Sequence, residues 1–412
     1  MLSFVGWKND AGRGPDKAGV SSARRILGCR GRSSPPGRLH FTPRKKGAGV
    51  TFARNPLLEN GILPVEVVFH PSWWHRHAGI SFDEDFFYDP RRRIEDERKM
   101  ERVLYERFGD LGLGEDRDKD LPVLGPVHNA AGYLLSEMIG CRLEYKEDAP
   151  PQVIPAGRQD LDLDVDAVFG GPAFGRFKTL VEILKARGMP VCGDVNWGGI
   201  LNLALDFRGQ EIFLDMLDCP EEVRLFFGHL AEVIERFTSY VEGETGTTSI
   251  SVNRTVRHIR PPVFLHSECA LTMISEEHYE SFIRPFDGAW SRRRRPFGIH
   301  YCGPDPHRFA EAFAALPDLD FLDVGWGGDL RLLRERLPRT FLNIRLSPVE
   351  IAGQTVEEIR HAVESRVAAS ADPRLTGVCC VNMDDRVTDE KVRAIFETVF
   401  ALRREPPTCS QP

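Results

Sequence analysis

Residues Phe297–Gly303 read FGIHYCG, a short apolar run that ends in an imidazole, a thiol and a glycine. Four to six apolar residues closed by a glycine make a buried strand. Strand side chains alternate, so His300 and Cys302 share a face. An imidazole beside a thiol is two-thirds of a zinc site. A third ligand is available far downstream in Gly377-Val378-Cys379-Cys380-Val381, another short apolar run. If both runs belong to one parallel barrel, their ends converge on one mouth.

The surrounding sequence supports that barrel. Strands are expected at Val65–His70, Pro190–Val195, Thr248–Val252 or Val263–His266, Phe297–Tyr301, Leu319–Val324, Phe341–Leu346 and Gly377–Val381. Helical periodicity falls between the later ones, over Glu276–Trp290, Pro306–Ala315, Leu330–Leu337, Thr355–Ser370 and Thr388–Arg403. Strands that alternate with helices imply a parallel sheet. Seven or eight of them fit a single-domain α/β protein, a closed (β/α)8 TIM barrel, better than an open sheet. Neither GxGxxG nor GxxxxGK[ST] occurs to suggest a nucleotide fold.

Composition narrows the class. The chain has 412 residues, 42% hydrophobic and 28% charged, with a formal net charge of -7. That is an ordinary globular balance, and its sign argues against nucleic acid as the main partner. No apolar run reaches the length of a membrane span. The cysteines are scattered and a chain of this size needs no staples, so a reducing cytoplasm is expected. Residues 1–54 stand apart, with twelve Lys and Arg against Asp10 and Asp16 and no sustained apolar period. They read as a disordered basic extension, native, targeting or an over-extended start. The barrel is expected over residues 55–405, with 406–412 as a tail.

Other polar residues sit where strands end. Trp74, Arg76 and His77 follow the first strand and either line a substrate pocket or form a packed aromatic lid. His266 and Glu268 leave a strand on one face, as a further ligand, a partner for His300 or a proton acceptor. Asp194 and Asp323 end two other strands and are weaker candidates of the same kind. The turn at Trp197-Gly198-Gly199 either offers free backbone N–H groups to an anion or is tight packing. Arg292–Arg295 reads as a helix C-terminus complementing its dipole.

Met273-Ile274-Ser275, Tyr279, Phe282, Pro285-Phe286 and His300-Tyr301-Cys302-Gly303 together resemble the uroporphyrinogen decarboxylase superfamily. AGYLLSEMIGC at 131–141, GQEIFLDMLDCPEEV at 209–223 and QTVEEI at 354–359 are similar to segments at the same places, and the resemblance covers roughly residues 60–405. It implies a (β/α)8 barrel. Its zinc branch comprises methyltransferases that move a methyl group between a corrinoid protein and a thiol. Those carry His-x-Cys on one strand and a third cysteine near the C-terminus. The resemblance therefore implies zinc on His300, Cys302 and Cys380, the last chosen over Cys379 by its spacing to the final helix. It also implies a small-molecule substrate and methylcobalamin carried by a partner protein. The metal-free branch, which decarboxylates tetrapyrroles, is the alternative. His75–Gly79 is similar to its Met-Arg-Gln-Ala-Gly-Arg motif, with Arg76 at the first arginine and Ile80 at the second. A barrel without chemistry, acting as a binding partner, is the remaining reading.

Overall fold

The computed structural model describes residues 63–114, 132–188, 191, 198–246, 261 and 263–404. Eight strands lie within them: β1 (Val65–Phe69), β2 (Arg142–Lys146), β3 (Ala149–Ile154), β4 (Phe264–Ser267), β5 (Phe297–His300), β6 (Phe321–Val324), β7 (Phe341–Leu346) and β8 (Thr376–Met383). Six form one parallel sheet in the order β1-β8-β7-β6-β5-β4. That is the strand order of a (β/α)8 barrel read from its fourth strand round to its first. The strands expected at Thr248–Val252 and over most of Pro190–Val195 lie outside the described residues, as do the extension 1–54 and the tail 406–412.

The sheet forms as it does because both of its faces are covered. β4 to β7 are buried at every position, as expected for parallel strands between a barrel interior and a helix layer. The helices that follow these strands pack outside them, Leu330–Arg336 before β7 and Val356–Ser370 before β8. Asp329 caps the first of these through the N–H groups of Arg331 and Leu332. Thr355 and Glu358 form a capping box on the second.

Lateral register fixes what points inward. Ser267 pairs with His300, His300 with Asp323, Asp323 with Asn343 and Asn343 with Gly377. The next inward row is Arg345, Cys379 and Glu66. The interior of this sheet is thus polar, whereas Ile299, Leu322, Ile344, Val378 and Cys380 join the apolar core. Gly377 is required by that layout, since a Cβ there would lie 2.8 Å from Asn343 Oδ1.

Two expectations are corrected in detail, and one ribbon is added. Trp73 to Ala78, expected as a strand exit, belongs to a helix, Pro71–Ala78, closed by Gly79 at φ +57°. β3, over a stretch to which the sequence assigns no strand, pairs antiparallel with β2 through a turn at Glu147-Asp148. Its prolines fit there because a two-stranded ribbon leaves edges where a missing N–H costs nothing. The helix expected over Glu276–Trp290 contains a π-helical turn at Tyr279–Ile283. Pro285 has no N–H for the carbonyl of Ser281, and Arg224 donates to that oxygen instead.

Candidate metal centre

Cys269, His300 and Cys302 each place one ligand atom within 4.8 Å of the others. His300 ends β5 and Cys302 follows it by two residues, so the strand period brings them together as expected. His300 Nε2 lies 3.2 Å from Cys302 Sγ. Cys269 comes from the short turn Cys269–Met273 directly after β4, the neighbouring strand. The cluster is buried, with Cys302 alone retaining some exposure.

Inward neighbours hold the imidazole. Asp323 takes His300 Nδ1 in a short hydrogen bond, and Asn343 Nδ2 donates to the other Asp323 oxygen at 3.1 Å. Nε2 is left facing the two thiols. A carboxylate behind a histidine in this way sets the tautomer of a metal ligand. Burial opposes a charged ring at His300, but Cys302 and Asp323 outweigh it and raise its pKa. Arg345 Nη1 donates to Cys302 Sγ at 3.2 Å and lies 3.3 Å from His300 Nε2. The Cys269 thiol, then Arg345 and His300, hold Cys302 well below the ordinary thiol range. Cys269, as the donor of that pair, is raised.

The turn that carries Cys269 is fastened from the helix Ile200–Arg208. Asn202 Nδ2 donates to Ser267 O at 2.7 Å and its Oδ1 accepts from Ala270 N at 2.8 Å. Gly199 N donates to Ser267 O at 2.7 Å, and Leu201 N to Glu268 Oε1 at 2.9 Å. Arg308 adds two bonds from the other side, to Leu271 O and Ile274 O. The described part of the glycine turn is tight packing: Gly199 donates to a backbone carbonyl, and the N–H that reaches the buried Glu268 side chain is Leu201's, in the helix. A Cβ at Gly199 would lie 2.5 Å from Glu268 Cδ.

His266 and Glu268 share a face, as the sequence implies, and their side chains meet at 3.0 Å. That face turns towards the helices. His266 pairs in register with Ile299, not His300. Its Nδ1 lies 2.6 Å from Asp287 Oδ1, whose other oxygen accepts from Tyr279 at 2.8 Å. Ile200 N also approaches Nε2 at 3.2 Å, a contact that asks for a lone pair where Glu268 asks for a proton. Burial lowers the ring's pKa, but the carboxylates of Asp287 and Glu268 outweigh it and raise it to about 9.

The third thiol is therefore Cys269 and not Cys380. Cys380 Sγ lies in the apolar core between sheet and helices, where burial pushes its pKa up to about 12. Of the adjacent pair it is Cys379 that faces inward, 3.4 Å from Asn343 Nδ2 and 4.0 Å from Asp323 Oδ1. Spacing to the last helix favours Cys380, but strand parity turns it outward. Arg345 was also missed, although a charge inside the apolar run FLNIRL marks it. Asp323 orients His300. Trp74 is buried edge-on to Phe69, on which Trp73 stacks, and His77 leans on Trp73 with ring centroids 4.7 Å apart. Arg76 is 63% exposed and bonded to Asp385 at 3.1 Å. The aromatic rings here pack on one another. Asp194 and Trp197 lie outside the described residues. The arginines at 293 to 295 form ion pairs with Glu235, Glu242, Asp318 and Asp320.

The donor set fits zinc: two thiols and an imidazole whose far nitrogen is held by a carboxylate. No helix among the described residues is long and apolar enough to cross a membrane. No protein-family model matches the sequence, and no curated protein does. Thirty-three chains of solved structures match. A B12-independent methionine synthase from Shewanella sp. W3-18-1 aligns at 11% identity over 86% of this chain and 98% of its own, with a TM-score of 0.44, too loose to carry an argument. A methyltransferase from Methanosarcina mazei aligns at 12% identity over 83% of this chain and 94% of its own, with a TM-score of 0.60. The chain has the α/β barrel fold of that methyltransferase.

Proposed function

We propose that this chain is a zinc-dependent methyltransferase that moves a methyl group between a corrinoid on a partner protein and a thiol. The observation that carries the reading is the cluster of Cys269, His300 and Cys302 at the ends of two neighbouring barrel strands. Three protein ligands leave one position open, which is the catalytic rather than the structural pattern. When bound there, zinc would supply the charge that keeps an incoming thiol deprotonated.

The chain's own residues divide the remaining work. Cys269, Cys302 and His300 Nε2 would hold the ion. Asp323 and Asn343 keep the His300 ring turned. Asn202, Glu268 and Arg308 keep the Cys269 turn against its strand. The decarboxylase alternative asks Arg76 to take a substrate carboxylate, but that guanidinium is already paired with Asp385.

Zinc content of the purified protein, measured by elemental analysis, tests the reading. About one zinc per chain, lost in Cys302→Ala and Cys269→Ala but kept in Cys380→Ala, supports it and justifies screening thiols against methylcobalamin. No metal, with none taken up after reduction and zinc addition, overturns it.

A further inference from the structure

Arg345 stands where the metal reading would not put a cation. Its Nη1 reaches two atoms at once, Cys302 Sγ at 3.2 Å and His300 Nε2 at 3.3 Å. These are two of the three donor atoms of the cluster, Cys269 Sγ being the third, and Nε2 is the ring nitrogen concerned because His300 Nδ1 is committed to Asp323. A neutral imidazole has one free ring lone pair, and a guanidinium only donates. One nitrogen of Arg345 therefore lies over electron pairs that a metal would use.

The placement is not a surface charge swung in by chance. Arg345 is 3% exposed, the penultimate residue of a strand whose every residue is buried. Its Nε has no hydrogen-bond partner among the described residues, so the contacts of Nη1 hold the head group against the cluster. Guanidinium stays charged under all ordinary conditions.

We infer that Arg345 competes with the metal for His300 and Cys302, and so holds the zinc affinity of the site below what its donors alone would give. Metal uptake then requires the guanidinium to give up at least one of these atoms. The inference rests on the zinc reading. It predicts a change opposite in sign to structural damage, because removing a buried residue that merely supports a site weakens the site.

The test is a zinc titration of reduced, metal-stripped protein in competition with a chromophoric chelator, on wild type, Arg345→Met, Arg345→Gln, Arg345→Lys and Cys302→Ala. Thermal melts in chelator establish which variants are folded. Folded neutral variants should bind zinc tighter by about tenfold or more at the same stoichiometry, with Arg345→Lys in between. A folded neutral variant that binds as wild type does, or more weakly, overturns the inference while leaving the site intact. If no variant binds zinc in a manner that needs Cys302, the metal reading itself fails.

Discussion

His300 and Asp323 are register partners on neighbouring strands, and the carboxylate of one fixes the ring of the other through Nδ1. Asp323→Ala frees the ring to turn and leaves Asn343 Nδ2 with only the Cys379 sulfur as acceptor. Zinc affinity should fall about 10–100-fold. Asp323→Asn, which keeps an oxygen for Nδ1–H, should lose less. Chelator competition on the two variants measures both, and equal affinities would contradict the orienting role.

The choice of third ligand separates two cysteines in one experiment. Cys269→Ser and Cys269→Ala should lower zinc content, since this sulfur lies within 4.8 Å of the other donors. Cys380→Ala should keep the metal and lose stability instead, by about 1–3 kcal/mol for a core truncation. Elemental analysis beside urea denaturation reads the two effects apart.

Among the described cysteines, Cys302 should be alkylated first in metal-free protein. It is partly exposed, and Cys269, Arg345 and His300 hold it below the ordinary thiol range. Its rate with iodoacetamide should stay nearly level from neutral pH upward, where an ordinary thiol's rate still climbs. Added zinc should protect it. Peptide mass spectrometry over a pH series checks this.

The pairing of His266 with two carboxylates makes stability fall at alkaline pH. A pKa raised from 6.5 to about 9 means that the folded state holds a proton which the unfolded state releases. The resulting stability is complete below about 6.5 and is lost as pH rises through about 9. His266→Gln should lower stability at pH 6 and flatten the profile between pH 7 and 9. Urea midpoints across that range test it.

Gly199 permits the close approach of the helix start to the turn after β4. Gly199→Ala would put a methyl 2.6 Å from the backbone oxygen of Ser267. The expected cost is about 1–3 kcal/mol, with zinc content reduced as the Cys269 turn shifts. An unchanged melting temperature would show that the two segments have room to part.

What could be read without coordinates follows from the range of each interaction. β7 is legible to the residue, because a strand buried on both faces leaves a short apolar run, here interrupted only by Asn343 and Arg345. His300 and Cys302 are legible as a pair, because two residues along a strand is a fixed distance. Cys269 is one residue beyond the stretch His266–Glu268 that the sequence does mark. It becomes a ligand only when β4 lies beside β5, and adjacency of strands is not written in local spacing. Cys380 was preferred over Cys379 by counting to a helix, whereas the direction of a side chain follows the parity of the strand. Arg345 and Asn343 show their signal as polar letters in an apolar run, but the partners that give them meaning come from β5, β6 and β8.

The three donors rest on supports of unequal stiffness. His300 ends a strand paired on both sides and Cys302 follows it by two residues, while Cys269 rides a turn tied down by a few side chains, Asn202 and Arg308 foremost. An ion shared between them would act as a rivet joining turn to strand. Its loss should therefore be felt unevenly, with local opening at the turn and little change in the sheet. The amide of Ala270, donated to Asn202, becomes a gauge of occupancy: its hydrogen exchange quickens when the rivet is gone, while the amide of Tyr301, bonded to Asp323 O within the sheet edge row, keeps its pace.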